Sequence, residues 1–126
     1  MLTEILAVAV GGALGAVFRF LSVNIVAKLF GTDFPYGTLF VNTLGSFILV
    51  FFMVLFLEKL SLDPLWRVFI GVGFLGAFTT FSSFSYETIA LFQSGEVLKG
   101  FLNIILNNVF SIGAGLIGFY FARSLI

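Results

Sequence analysis

The chain of 126 residues is 60% apolar and 10% charged, with a mean hydropathy of +1.20, which excludes an ordinary water-soluble domain. Six Lys+Arg balance six Asp+Glu, so no charge excess points to nucleic acid or to an acidic surface partner. Cys and His are both missing from the sequence, which removes disulfides, thiolate and imidazole metal ligands, and the commonest nucleophile and general base. A protein of the lipid bilayer is the class that remains.

A hydrocarbon core of about 30 Å takes roughly 20 helical residues per crossing. The first span is predicted from about Ile5 to Phe30, interrupted only by Arg19 and Lys28. It lacks a basic leading region and carries Glu4 at its start, so it reads as a retained helix rather than a cleaved signal peptide. Gly11, Gly15, Arg19 and Ser22 fall within about 80° of one another on a helical wheel. The glycines permit close helix contact. A mid-span Arg costs roughly 2.5–3.5 kcal/mol on insertion scales and must face protein or water. Arg19 is therefore either structural, bonded to carbonyls or to Glu87, or an anion-attracting group in a vestibule.

The turn Gly31-Thr-Asp-Phe-Pro-Tyr-Gly37 leads into a second span, about Thr38 to Leu57. Thr38, Asn42 and Gly45 form an i, i+4, i+7 stripe on it, and the stretch from Phe47 to Leu57 is wholly apolar. A third span, about Val68 to Phe92, follows Glu58-Lys59 and the Asp63-Pro64 turn. It holds Gly71, Gly73 and Gly76, then five hydroxyl residues between positions 79 and 85. Gly is a poor helix former, and Ser and Thr compete for backbone hydrogen bonds, so a helix break is predicted here. Such a break is tolerated in a membrane only when buried in protein or facing a cavity, and its freed carbonyls can hold a cation. The three-residue spacing of Phe78, Phe81 and Phe84 predicts one shared face, for lipid contact, packing or something more specific.

The fourth span, about Phe101 to Ala122, follows Gly95-Glu96 and carries Asn103, Asn107 and Ser111 at i, i+4, i+8, with Asn108 beside them. A single buried Asn reads as interhelical glue worth about 1 kcal/mol. Asn42, Asn103, Asn107 and Asn108 together, with no carboxylate accompanying them in those spans, read more as donors lining a path than as glue. No span shows strand-like alternation, so the fold class is all-α, four transmembrane helices in a single domain over residues 1–126. Both termini then share one side with Lys59, Arg67 and Arg123, against Lys28 and Lys99 opposite. A three-to-two bias hardly orients the chain. The charges fit either a weakly encoded single topology or insertion both ways, and the small room for a pore inside four helices favours the second, an antiparallel dual-topology homodimer.

Three segments together carry a family resemblance: Gly11-Gly-Ala-Leu-Gly-Ala-Val-Phe-Arg19, Tyr36-Gly-Thr-Leu-Phe-Val-Asn42, and Gly73-Phe-Leu-Gly-Ala-Phe-Thr-Thr-Phe-Ser-Ser-Phe-Ser-Tyr-Glu87. In order, spacing and overall length the chain resembles the Fluc (CrcB-like) family of fluoride channels. The resemblance implies a multi-pass protein of the cell (inner) membrane that exports fluoride passively, as a dual-topology homodimer with two antiparallel pores at the interface. It implies fluoride contact by Phe81 and Phe84, a pore amide from Asn42, a polar track including Thr38 and Ser111, and a central sodium ion on the backbone carbonyls of Gly76 and Thr79 from both subunits. Asn103 and Asn107 stand where family members vary between aromatic and small hydroxyl residues, and Asn107 is placed with the pore donors. Ala77 replaces a Gly common in the motif.

The side-chain chemistry suits such an ion. Fluoride is small and strongly hydrated, so dehydration requires close replacement donors, which Asn42, Asn107 and the hydroxyls provide. An aromatic edge is positive, so Phe81 and Phe84 can meet an anion without the grip of a fixed cation. Rival readings are a small four-helix proton-coupled exporter and a non-transporting membrane assembly subunit. The exporter requires a carboxylate deep in a span, whereas Glu4 and Glu87 lie near span ends. An intramembrane enzyme is disfavoured, since no Lys lies deep in a span to activate a Ser.

Overall fold

The computed structural model describes residues 1–59 and 61–126, which are helical with no strand among them. Four segments are long and apolar enough to cross a membrane: Leu2–Phe30, Tyr36–Glu58, Pro64–Gln93 and Val97–Ser124. The first two are α1 and α2. The third divides into α3 (residues 64–78) and α4 (Phe81–Gln93), and the last is α5. Each extends a few residues past the span expected from hydropathy, because helix ends recruit local chemistry that hydropathy ignores. Asp63 Oδ1 accepts from the Leu65 N–H at 2.9 Å with Pro64 in the first turn, so the third span begins ahead of Val68. Gly31 ends α1 at φ 91°, a left-handed conformation that costs glycine little.

Within α3, residues Val68–Leu75 wind with the wider π turn, and the Gly76 N–H reaches back five residues to the Gly71 carbonyl. Sequence patterning gave no sign of this segment. Its glycines meet those of α1. A Cβ on Gly15 would stand 2.9 Å from the Phe74 carbonyl carbon and 3.0 Å from Phe74 Cα, while one on Gly73 would lie 3.1 Å from the Val8 carbonyl oxygen. The two backbones are in direct contact, so dispersion between them replaces the side-chain packing that the glycines forgo. Helix α2 runs along α5 in the same manner, where a Cβ on Gly118 would approach the Phe47 carbonyl oxygen to 2.6 Å.

The exterior is apolar, and several polar side chains are enclosed among the apolar core residues, unlike a soluble bundle. Thr38 and Asn103 are 2% and 0% exposed, whereas Phe20, Leu98 and Ile112 are 68–73% exposed. This is what a hydrocarbon solvent selects, since outward apolar side chains cost nothing there and inward polar groups can pair. At the end bearing both termini, Arg123 Nη1 pairs with Glu58 Oε1 at 2.9 Å and Lys59 Nζ donates to the Leu125 carbonyl at 2.8 Å. At the other end Lys99 Nζ donates to the Asp33 carbonyl at 3.3 Å.

Candidate functional site

Between α3 and α4 the backbone leaves helical geometry at two residues. Thr79 sits at φ −86°, ψ 157° and Thr80 at φ −151°, ψ 114°, both extended. The hydroxyls that compete with helix are the groups that settle this conformation. Thr79 Oγ1 donates back to the Leu75 carbonyl at 3.1 Å, and Thr80 Oγ1 caps α4 by accepting the Ser83 N–H at 3.1 Å. Asn42 on α2 holds Thr80 from the side: its Oδ1 accepts the Thr80 N–H at 2.8 Å and its Nδ2 donates to the Thr80 carbonyl at 3.0 Å. One side chain thus satisfies both main-chain groups of a half-buried extended residue. Gly45, one turn further along α2, has no Cβ because Thr79 Cγ2 and the Phe78 ring occupy that space.

The same bonds free two carbonyls. In a continuous helix the Thr80 N–H would bond the Gly76 carbonyl and the Ser83 N–H that of Thr79; here those donors go to Asn42 and to Thr80 Oγ1. The Ala77 carbonyl between them accepts Arg19 Nε at 2.9 Å. Arg19 therefore fixes α1 to the last turn of α3, and its hydrogen-bond partner is this carbonyl rather than Glu87.

A recess of about 220 Å³ opens beside the extended residues, lined by Asn42, Ser46, Thr79, Thr80, Phe81, Phe84, Asn107, Asn108, Ser111 and Ile112. Five of the six residues expected along an anion path share it: Asn42, Phe81, Phe84, Asn107 and Ser111. The Phe81 and Phe84 rings meet edge to face at 5.3 Å and 69°. Phe84 is 7% exposed, while Phe81 is 76% exposed and stands out from the chain. Helix α4 starts at the recess, so its N-terminal N–H groups and the positive end of its dipole favour an anion. Phe78 does not share the Phe81 and Phe84 face. It lies before the extended residues and stacks with Phe74 at 6.2 Å and 12°, because the helical phase does not carry across Thr79 and Thr80.

Thr38 and Glu87 line a second recess, of about 320 Å³, with Asp33, Gly37 and Ser94 near the α1–α2 turn. Glu87 Oε1 is buried there without a hydrogen-bond partner. Thr38 is thus one helical turn from Asn42 but opens into different space.

The fourth-span amides are bonded to one another rather than turned loosely inward. Asn42 Nδ2 also donates to Asn107 Oδ1 at 3.1 Å, Asn107 Nδ2 to Asn103 Oδ1 at 2.8 Å, Asn103 Nδ2 to Thr88 Oγ1 at 2.9 Å, and Thr88 Oγ1 to the Phe84 carbonyl at 2.7 Å. Glue and lining therefore coexist: Asn103 is wholly enclosed, Asn107 belongs both to the chain of amides and to the recess, and the exposed Asn108 bonds its own helix at the Ile104 carbonyl. Thr88 and Ser46 had not stood out in the sequence. Thr88 lies seven residues after Phe81 and four after Phe84, a helical spacing that marks the shared face.

A family model described as CrcB-like protein, Camphor Resistance (CrcB) matches residues 6–119. A protein of Sulfurihydrogenibium sp. (strain YO3AOP1) called fluoride-specific ion channel FluC is 54% identical over 120 residues, covering 95% of this chain and 97% of its own. Proteins of the same description from Campylobacter jejuni (serotype O:2) and Legionella pneumophila (strain Paris) are 49% and 46% identical, over 94% and 96% of this chain and 97% and 90% of theirs. Four apolar spans, a family match over residues 6–119 and relatives aligned over 94–96% of the chain agree, and the chain belongs to the CrcB-like family.

Proposed function

We propose that this protein is a passive fluoride channel of the cell membrane. The relatives' shared description supports fluoride as the ion. The observation that carries the reading is the recess at Thr79–Thr80, where aromatic edges, amides, hydroxyls and a helix N-terminus converge with no fixed cation and no carboxylate on its wall. A dehydrated anion requires donors close by, and conduction requires them weak enough to release it. Phe81, Phe84, Asn42, Asn107 and Ser111 form the path in this reading. Thr38 belongs to its approach through the neighbouring recess, and Arg19 acts structurally while adding positive potential nearby.

The recess is open on one side, and Phe81 with Asn108 projects from the protomer at a depth where polar groups require cover. A second, inverted copy supplies that cover, making an antiparallel homodimer with two pores; the near-even distribution of Lys and Arg at the two ends supports insertion both ways. The carbonyls of Gly76 and Thr79, whose helical donors are diverted, fit a hard oxygen-seeking cation, and a sodium ion held by both copies would neutralise them where the protomers meet. A terminal tag labelled from both faces of intact membranes is expected; strictly one-sided labelling contradicts the dual topology.

The test is fluoride efflux from liposomes holding purified protein, with chloride for comparison and with or without a proton gradient. Fast fluoride efflux that ignores the gradient is expected. Efflux that requires the gradient, and stops in Glu87→Gln, favours a proton-coupled exporter instead, and no efflux at all favours an assembly subunit.

A further inference from the structure

The amide chain beside the pore has a direction, and that direction leaves no amide donor of Asn42 or Asn107 unoccupied. Asn42 cannot be turned over, because its Oδ1 faces a backbone N–H and its Nδ2 a backbone carbonyl on the same residue, Thr80. Its remaining N–H must therefore point to Asn107, which must answer with oxygen at 3.1 Å. That orientation puts Asn107 Nδ2 toward the Asn103 carbonyl at 3.0 Å and Asn103 Oδ1 at 2.8 Å. Asn103 is wholly buried and is held in turn by Thr88 at 2.9 Å. Both N–H groups of Asn42 and both of Asn107 are engaged.

An anion that takes an N–H of Asn42 must therefore displace an acceptor. The Thr80 carbonyl is main chain, and losing its bond would also loosen the clamp on the extended residues. Asn107 Oδ1 is a side-chain atom at the longest contact Asn42 makes, and it lies on the recess wall. We propose that the Asn107 carboxamide oxygen occupies the fluoride position at Asn42 in the empty channel. The ion binds by displacing it, and Asn103 sets how firmly that internal substitute is held. Asn107 is then a specificity-determining residue that competes with the ion, and Asn103 a positioning residue that acts through it. This rests on the channel reading above and adds to it that one pore donor is shielded until the ion arrives.

The competition has a measurable sign. Deleting a donor from a binding site weakens binding, whereas deleting a competing acceptor strengthens it. One neutral hydrogen bond corresponds to about a fivefold change in affinity. Single-channel or liposome conductance is measured against fluoride concentration for the intact protein, Asn107→Ala and Asn103→Ala, each shown to be folded by size exclusion. Asn24→Ala, which loses only a bond to the Phe20 carbonyl of its own helix, is the control. The half-saturating fluoride concentration is expected to fall about fivefold in Asn107→Ala and by a smaller factor in Asn103→Ala, and to stay put in Asn24→Ala. An unchanged or raised value in Asn107→Ala overturns the inference. If that variant does not fold, Asn103→Ala is read the same way. Failure of the intact protein to conduct fluoride refutes the channel reading itself, a result distinct from a saturating wild-type current with no leftward shift.

Discussion

Replacing Asn42 by Ala tests whether one side chain holds the third span open. The substitution removes the acceptor 2.8 Å from the Thr80 N–H and the donor 3.0 Å from its carbonyl, leaving both main-chain groups half-buried without a partner. An unsatisfied buried group costs about 1–3 kcal/mol, and the recess beside Thr80 admits water that offsets part of it. About 1–2 kcal/mol for the N–H therefore appears as a 5- to 30-fold loss of protection at that amide, since about 1.4 kcal/mol is tenfold. Amide hydrogen exchange in nanodiscs, resolved at Thr80, reads this directly. The Ser83 amide is bonded to Thr80 Oγ1 and should lose less protection. Asn107→Ala leaves the Thr80 clamp in place and should change Thr80 exchange less than about twofold, within the spread of such contacts. Unchanged Thr80 protection in Asn42→Ala would refute the clamp.

Three further outcomes follow from the same contacts. Gly15→Ala brings a methyl onto the Phe74 backbone, which cannot rotate aside, so a loss of about 1–3 kcal/mol is expected in detergent thermal unfolding. Gly113→Ala meets nothing within 4 Å and should be neutral or stabilising by up to about 1 kcal/mol; equal losses at the two sites would contradict the backbone contact. Arg19→Leu deletes the charged donor to Ala77 and should destabilise by about 1.5–3 kcal/mol, with Arg19→Gln recovering part of it through its amide N–H. No recovery with Gln, but restored flux on adding positive charge elsewhere, would mean that potential rather than bonding is its role. Phe81→Ile, shown to be folded, should slow fluoride flux severely because an aliphatic side chain has no positive edge; undiminished flux would remove the ring from the path.

What the sequence made legible was what hydrophobic solvent makes obligatory. Spans must be long and apolar, so their number and order could be read, and polar side chains within them must cluster, so the stripe of Thr38, Asn42 and Gly45 could be placed on one face of α2. Which polar group meets which depends on rotations between helices that no single helix encodes. Thr38 and Asn42 share a stripe yet line different recesses, the first with Glu87 and Ala90 of α4 and the second with Phe81 and Phe84. The expected Phe face was lost at Phe78, since a periodicity argument holds only while the helix continues. The π turns of Val68–Leu75 left no trace beyond glycines, and their backbone packs directly against Gly11 and Gly15 of α1, a contact between helices that no single span encodes. The amides of α5 illustrate the deepest limit. Their spacing shows that they are neighbours, but only the Thr80 backbone dictates which atom each presents.

A structure of the purified protein in lipid with fluoride, refined to a resolution that separates anion from water, bears most directly on the whole account. It should show two inverted copies closing the recess, with an anion between the Phe81 and Phe84 edges near Asn42 Nδ2. A monomer, or a dimer that buries other faces and leaves Phe81 and Asn108 against acyl chains, would contradict it.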